Sequence, residues 1–156
     1  MSAADRRDLE LLTASLGGSD VAFGWVENTR TDNLCGVHLW LVSGTEVCPL
    51  RSNGRRVGTL FDDGNVRYCR LVGLLPVDGD RSRGAQAETV LRQMDAVLAD
   101  SNLAFSHVLR TWFYNDDILD WYGDFNAVRT AFFQEKRVFD GLLPASTGIG
   151  GRNAVG

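Results

Sequence analysis

Apolar and polar residues alternate through the middle of the chain, and the pattern then gives way to a helical rhythm. Ala87, Val90, Leu91, Met94, Val97 and Leu98 recur at spacings of three and four, which puts them on one face of an α-helix over residues 85–99. Near the N-terminus, Leu9, Leu12 and Leu16 show the same spacing over a shorter amphipathic segment. Residues 21–26 and 37–42 read as strands on either side of the polar loop ENTRTDN. Residues 57–61 and 66–74 flank Asp62, Asp63, Gly64 and Asn65, a turn-forming tetrad, and so predict a β-hairpin. In the second arm, Val66, Tyr68, Arg70, Val72 and Leu74 share one face, because side chains alternate along a strand. Residues 107–114, β-branched and aromatic, read as another strand. Asn115, Asp116 or Asp117 can cap a second helix with the buried stripe Trp121, Phe125, Val128 and Phe132, ending near Phe133. Residues 145–149, just after Pro144, fit a last short strand.

The order strand, strand, helix, strand, helix, strand predicts an α/β (α+β) fold: a single mixed sheet with two helices packed on one face. The polar segment 49–56 carries an Asn-Gly turn signal and gives a soft boundary. It separates an N-terminal extension, residues 1–55, from the main domain, residues 56–156.

Composition narrows the function classes. A net charge of -4 leaves no surplus of Lys and Arg to displace counterions, so nucleic acid is not an expected partner. No apolar run approaches the ~18 residues needed to span a bilayer, and the N-terminus lacks a signal-peptide pattern, so no membrane partner is expected. Cys35, Cys48 and Cys69 form no CxxC pair, and their odd number suits a reducing cytoplasm. His38 and His107 stand in no metal-ligand spacing, so both read as structural, with no metal and no cofactor expected.

Residues 58–150 resemble the Rid family, also called YjgF or endoribonuclease L-PSP-like. The resemblance runs through GTLFDDGNVRYCRLVGLLP, AETVLRQMDAVLADSNL, FSHVLRTWFYNDD, DFNAVRTAFF and LPASTGIG, in the family's own order. It implies a chorismate mutase-like, trimer-forming fold: a homotrimer with ligand clefts between subunits. The best-known branch deaminates imines and enamines with an arginine directly after a Pro-Ala pair. Here Ser146 follows Pro144 and Ala145, and a neutral hydroxyl is no substitute for a bidentate guanidinium, so that activity is not expected. The wording RTWFY, WYGDFNAVRTAFF and PASTGIG is similar to the chorismatase-like branch, whose members act on chorismate, a cyclic dicarboxylate. That likeness implies arginines and a tyrosine around the carboxylates, with a glutamate general acid on a later strand. The family's sheet continues past PASTGIG, so the resemblance also implies that one or more C-terminal strands lie outside this chain.

The candidate substrate-binding set is Arg70, Tyr114, Arg129, Ser146, Thr147 and Gly148, with no catalytic residue assigned. Small residues after Pro144 let a ligand approach backbone N–H groups, while Ser146 and Thr147 can donate to a carboxylate. Arg70 on a strand face needs an anionic partner, either a ligand or a protein carboxylate. Arg129 borders the buried stripe of the second helix, the usual place of a solvated or salt-bridged residue. Arg110 has a weaker claim, Asn126 reads as bonding a neighbouring backbone group, and Trp112 and Tyr114 read as core or trimer interface more often than ligand platform. The leading expectation is a protein that binds, and can hydrolyse, a small carboxylate ligand between subunits. The alternative is a non-catalytic trimeric binding module. Imine deaminase and endoribonuclease activities fit less well.

Overall fold

The computed structural model describes residues 7, 11–12, 14–15, 21–26, 38–76 and 82–152. They fall into two compact units, residues 1–73 and 74–156. Leu9, Leu16 and Cys35 lie outside the described residues.

In the first unit, β1 (Val47–Ser52), β2 (Arg55–Asp62) and β3 (Arg67–Leu71) form an antiparallel sheet in that order. The polar segment 49–56 becomes the second half of β1 and a tight turn. Asn53 and Gly54 both take positive φ, 49° and 76°, matching the twist of a two-residue hairpin. The next hairpin closes on the predicted tetrad. Asp63 Oδ1 accepts from the backbone N–H of Asn65 and of Val66, each at 2.9 Å, and Asp62 Oδ1 accepts from that of Gly64 at 2.8 Å. Those backbone donors hold the Asp63 carboxyl below its ordinary value. Across the ladder Phe61 pairs with Tyr68, their rings stacked at 4.9 Å.

The apolar alternation runs to Leu74, but β3 stops at Leu71. Val72 N–H still donates to Val57 O at 2.7 Å, and Gly73 then turns the chain away at φ 62°. A side chain on Gly73 would strike the Phe23 carbonyl oxygen, so two backbones touch there. Two expected strands, 21–26 and 37–42, are corrected: among the described residues, 21–26 and 38–42 form no ladder. Leu39, Trp40 and Leu41 are exposed, and an apolar run without burial gains little from strand pairing.

The second unit contains α1 (Arg83–Asp100), β4 (Arg110–Asn115), α2 (Ile118–Glu135) and β5 (Ala145–Gly150), with single 3-10 turns at Phe105–His107 and Val138–Asp140. Ser82 caps α1 by accepting from Ala85 N–H. Leu91, Val97 and Leu98, all on the predicted stripe, are its buried residues. α2 packs against α1 and buries Phe125, Phe132 and Phe133, with Phe105 edge-on to Phe132 at 5.0 Å. Arg92 ties the rims of the helices, reaching Glu135 through both Nη atoms at 3.2 and 3.0 Å. The strand expected from residue 107 begins at 110, because His107 closes a 3-10 turn and its Nδ1 accepts from Ala104 N–H.

α2 begins where the acidic residues predict, but by other means. Asp117 sits at the N-cap with φ 43° and makes no capping hydrogen bond; its carboxylate lies 3.4 Å from Arg83. Asp116 pairs with Arg152 at 3.3 Å. Trp121 leaves helical geometry and its indole N–H donates to Asp116 O at 2.9 Å, kinking the first turn.

The fold is mixed α+β, but the expected single sheet is corrected. β4 and β5 pair with each other in parallel, and no ladder joins them to β1–β3 among the described residues. With β3 ended by Gly73 and followed by Pro76, which has no N–H, its alternation does not extend into a further ladder.

Candidate functional site

β5 carries the most suggestive segment of the sequence, and its pairing decides where each side chain goes. Parallel register sets Thr111 beside Ser146, Trp112 beside Thr147, Phe113 beside Gly148 and Tyr114 beside Ile149. Paired residues share a face, so Thr111, Phe113, Ser146 and Gly148 face one way while Trp112, Tyr114, Thr147 and Ile149 face the other.

The first face meets α2. Phe113 packs edge-on against Phe125 at 5.0 Å, and a Cβ on Gly148 would come within 2.9 Å of Ile118 Cδ1. Gly148 is itself exposed, and the Ile118 side-chain tip borders it on the helix side. Arg129 Nη1 donates to Ser146 Oγ at 3.2 Å, and its guanidinium carbon stands 5.6 Å from the centre of the Phe125 ring. On the opposite face Arg110 Nη2 donates to Thr147 Oγ1 at 3.4 Å and lies over Trp112 at 4.7 Å. Trp112 and Tyr114 remain 50% and 41% exposed.

The structure thus divides the predicted set. Arg129, Ser146 and Gly148 come together at the seam of α2 and β5, while Thr147 and Tyr114 stand on the other side of the strands. Arg70 belongs to the first unit, where it covers the Trp40 ring at 4.3 Å. Of the two fates expected at a helix flank, solvated or salt-bridged, Arg129 makes no salt bridge among the described residues, and its bond to Ser146 is exposed. Arg83, Arg92, Arg137 and Arg152 each hold a carboxylate, whereas Arg70, Arg110 and Arg129 hold hydroxyls or rings and no carboxylate among the described residues.

Sequence reasoning missed Thr111. It is 5% exposed, and its Oγ1 has no hydrogen-bond partner among the described residues. An inward threonine alternating with Phe113 was visible, but its neighbour across the ladder was not. Asn126 also departs from expectation: its Oδ1 is buried and bonds nothing among the described residues, where a backbone partner was foreseen.

The chorismatase FkbO/Hyg5-like, N-terminal family matches residues 50–155, well over half of the chain. The chain belongs to that family. Among curated proteins none matches it. The chorismatase-like part of the sequence resemblance is thereby shown, and the match spans β1 to β5. In this chorismatase-like domain the α2–β5 seam offers a fixed positive charge and hydroxyl donors, which is chemistry for holding an anion. Among the described residues no group that can move a proton is bonded to Arg129 or Ser146. Among the described residues no three metal-ligating side chains cluster, and no helix is long and apolar enough to cross a membrane.

Proposed function

We propose that this chorismatase-like domain binds a small carboxylate-bearing metabolite of the chorismate type, with the carboxylate on Arg129. One observation carries the reading: a half-buried guanidinium, without a carboxylate partner among the described residues, donates to Ser146 on β5. A permanently charged guanidinium at an accessible hydrogen bond, with donors to spare, can take an incoming carboxylate in bidentate fashion. The Rid-type arginine after Pro-Ala is Ser146 here, yet a guanidinium reaches that position from α2. The positive charge is supplied by the helix instead of the strand. Membership of a family named for chorismatases supports chorismate as the first ligand to try. Arg70, Tyr114 and Thr147 enter the same proposal as residues that neighbouring copies bring to the cleft of a homotrimer.

Isothermal titration with chorismate tests it. Arg129→Ala should weaken binding by ~10-fold or more, since a hydrogen bond to a charged group contributes about 1.5–3 kcal/mol. Unchanged affinity in that variant overturns the assignment. A second reading is a binding and assembly module without turnover: among the described residues, Arg129 and Ser146 bond each other and no proton-transfer group. Formation of product from chorismate by the purified protein would overturn this second reading and support hydrolysis.

A further inference from the structure

The first hairpin of the first unit carries a charge pattern that neither the fold nor the seam around Arg129 uses. In a chain of net charge -4, residues 47–61 hold three arginines, Arg51, Arg55 and Arg56, and no Asp or Glu. All three lie at the tip of the β1–β2 hairpin, on either side of Asn53 and Gly54. The register there is irregular. Leu50 pairs with Gly58, but Arg51 pairs with Arg56, so Val57 is an extra residue in β2. Even pairing would have set Val57 opposite Arg51. Val57 is instead 3% exposed, and its carbonyl accepts from Val72 N–H at 2.7 Å, which fixes the bulge from the β3 side. The bulge thus brings two arginines directly opposite each other, where like charges destabilise a strand pair. Arg51 Nη1 donates to Gly54 O at 3.1 Å, and Arg55 stands exposed opposite Ser52. Neither holds a carboxylate among the described residues. A local arrangement that lowers the stability of the free protein, yet is fixed by a buried bulge, is expected where a surface serves something other than the fold.

We infer that the β1–β2 tip docks a short acidic peptide segment of a partner protein. Arg51 and Arg55 take carboxylates of that segment, since guanidinium and carboxylate match as paired donors and acceptors. Arg56, with its Cα ~5 Å from that of Arg51, adds to the positive potential at the same spot. Three guanidiniums on one turn do not make the stripe of Lys and Arg that follows a nucleic-acid backbone. They also fall short of the roughly four to eight cations of a lipid-headgroup cluster. A compact patch of this size suits a few neighbouring carboxylates.

Fluorescence anisotropy of a fluorescein-labelled hexaglutamate peptide against the intact chain tests the inference, with labelled hexaglutamine as the control. Hexaglutamate should bind, more weakly as NaCl is raised, and hexaglutamine should not. Arg55→Glu should weaken binding ~10-fold or more, because a repulsive charge replaces an attractive one. The Arg55 side chain makes no bond among the described residues, so this variant should melt as the unaltered protein does. Arg51→Gln should weaken binding by about 3-fold, the factor for one exposed ion pair. Arg137→Gln, at an exposed arginine of the second unit, should leave binding unchanged. No binding of hexaglutamate, equal binding of the two peptides, or undiminished binding in both Arg55→Glu and Arg51→Gln overturns the assignment. Tighter binding of a short oligothymidylate, lost in the same two variants, overturns the acidic peptide in favour of phosphate.

Discussion

Asp63 shows how much a single side chain decides in the β2–β3 hairpin. Its carboxylate is the acceptor for two successive turn N–H groups, and those bonds lower its pKa from the ordinary 3.8. A carboxyl lowered on folding stabilises the folded state at pH values above 3.8, and that contribution is lost as pH falls through its lowered value. Thermal melts of the protein and of Asp63→Ala should therefore differ at about pH 7, and the difference should shrink as the pH falls through the lowered value. A difference that persists unchanged in acid would show that the turn does not depend on that charge. The tetrad was legible because Asp and Asn bond their own backbone over short range, and such contacts need no knowledge of the fold. Thr111 was not legible for the opposite reason. Its place comes from pairing with Ser146, thirty-five positions away, and parallel register depends on the packing of α2, which joins the two strands. Gly148 shows the same limit: its nearness to Ile118 of α2 comes from tertiary packing and cannot be read from the strand alone.

At the scale of elements, the two helices were readable because their stripes repeat over several turns and point to a common core. Leu91 is fully buried and lies at the centre of the α1 stripe. Leu91→Ala should cost about 2–5 kcal/mol in a denaturant titration, through lost burial and the cavity left behind. A loss near zero would mean that α1 is not packed as described. The strands were read less securely. Residues 38–42 have strand-like composition, but Leu39, Trp40 and Leu41 remain exposed and no ladder forms. β-propensity expresses fit to a half-buried pleated surface, and here that surface is missing. The helix cap was placed correctly on the wrong physics. Asp117 precedes α2, yet its carboxylate is turned to Arg83 while its backbone takes the left-handed conformation. Residue preference at a helix start thus located the boundary without revealing the bonds that hold it.

For the whole molecule, the parallel pair β4–β5 poses the sharpest question. Parallel strands are found almost always with both faces covered. One face here lies under α2, while the other presents Trp112 and Tyr114 half exposed, with Arg110 over the indole. Large aromatics beside an arginine are the residue types that anchor protein interfaces. The homotrimer proposed from the sequence resemblance gives that face a partner in the neighbouring copies. Sedimentation equilibrium at tens of micromolar should then report three chains per particle. Trp112→Glu should shift the protein to monomer, because placing a carboxylate at a packed aromatic position buries an unpaired charge. The helical circular dichroism should be retained, since Trp112 contributes nothing to the core around Phe125 and Leu91. A monomer in the unaltered protein would remove the argument for this face and for a cleft shared between copies. It would leave Arg129, Ser146 and Thr111 as a seam within one chain, still open to the calorimetric tests.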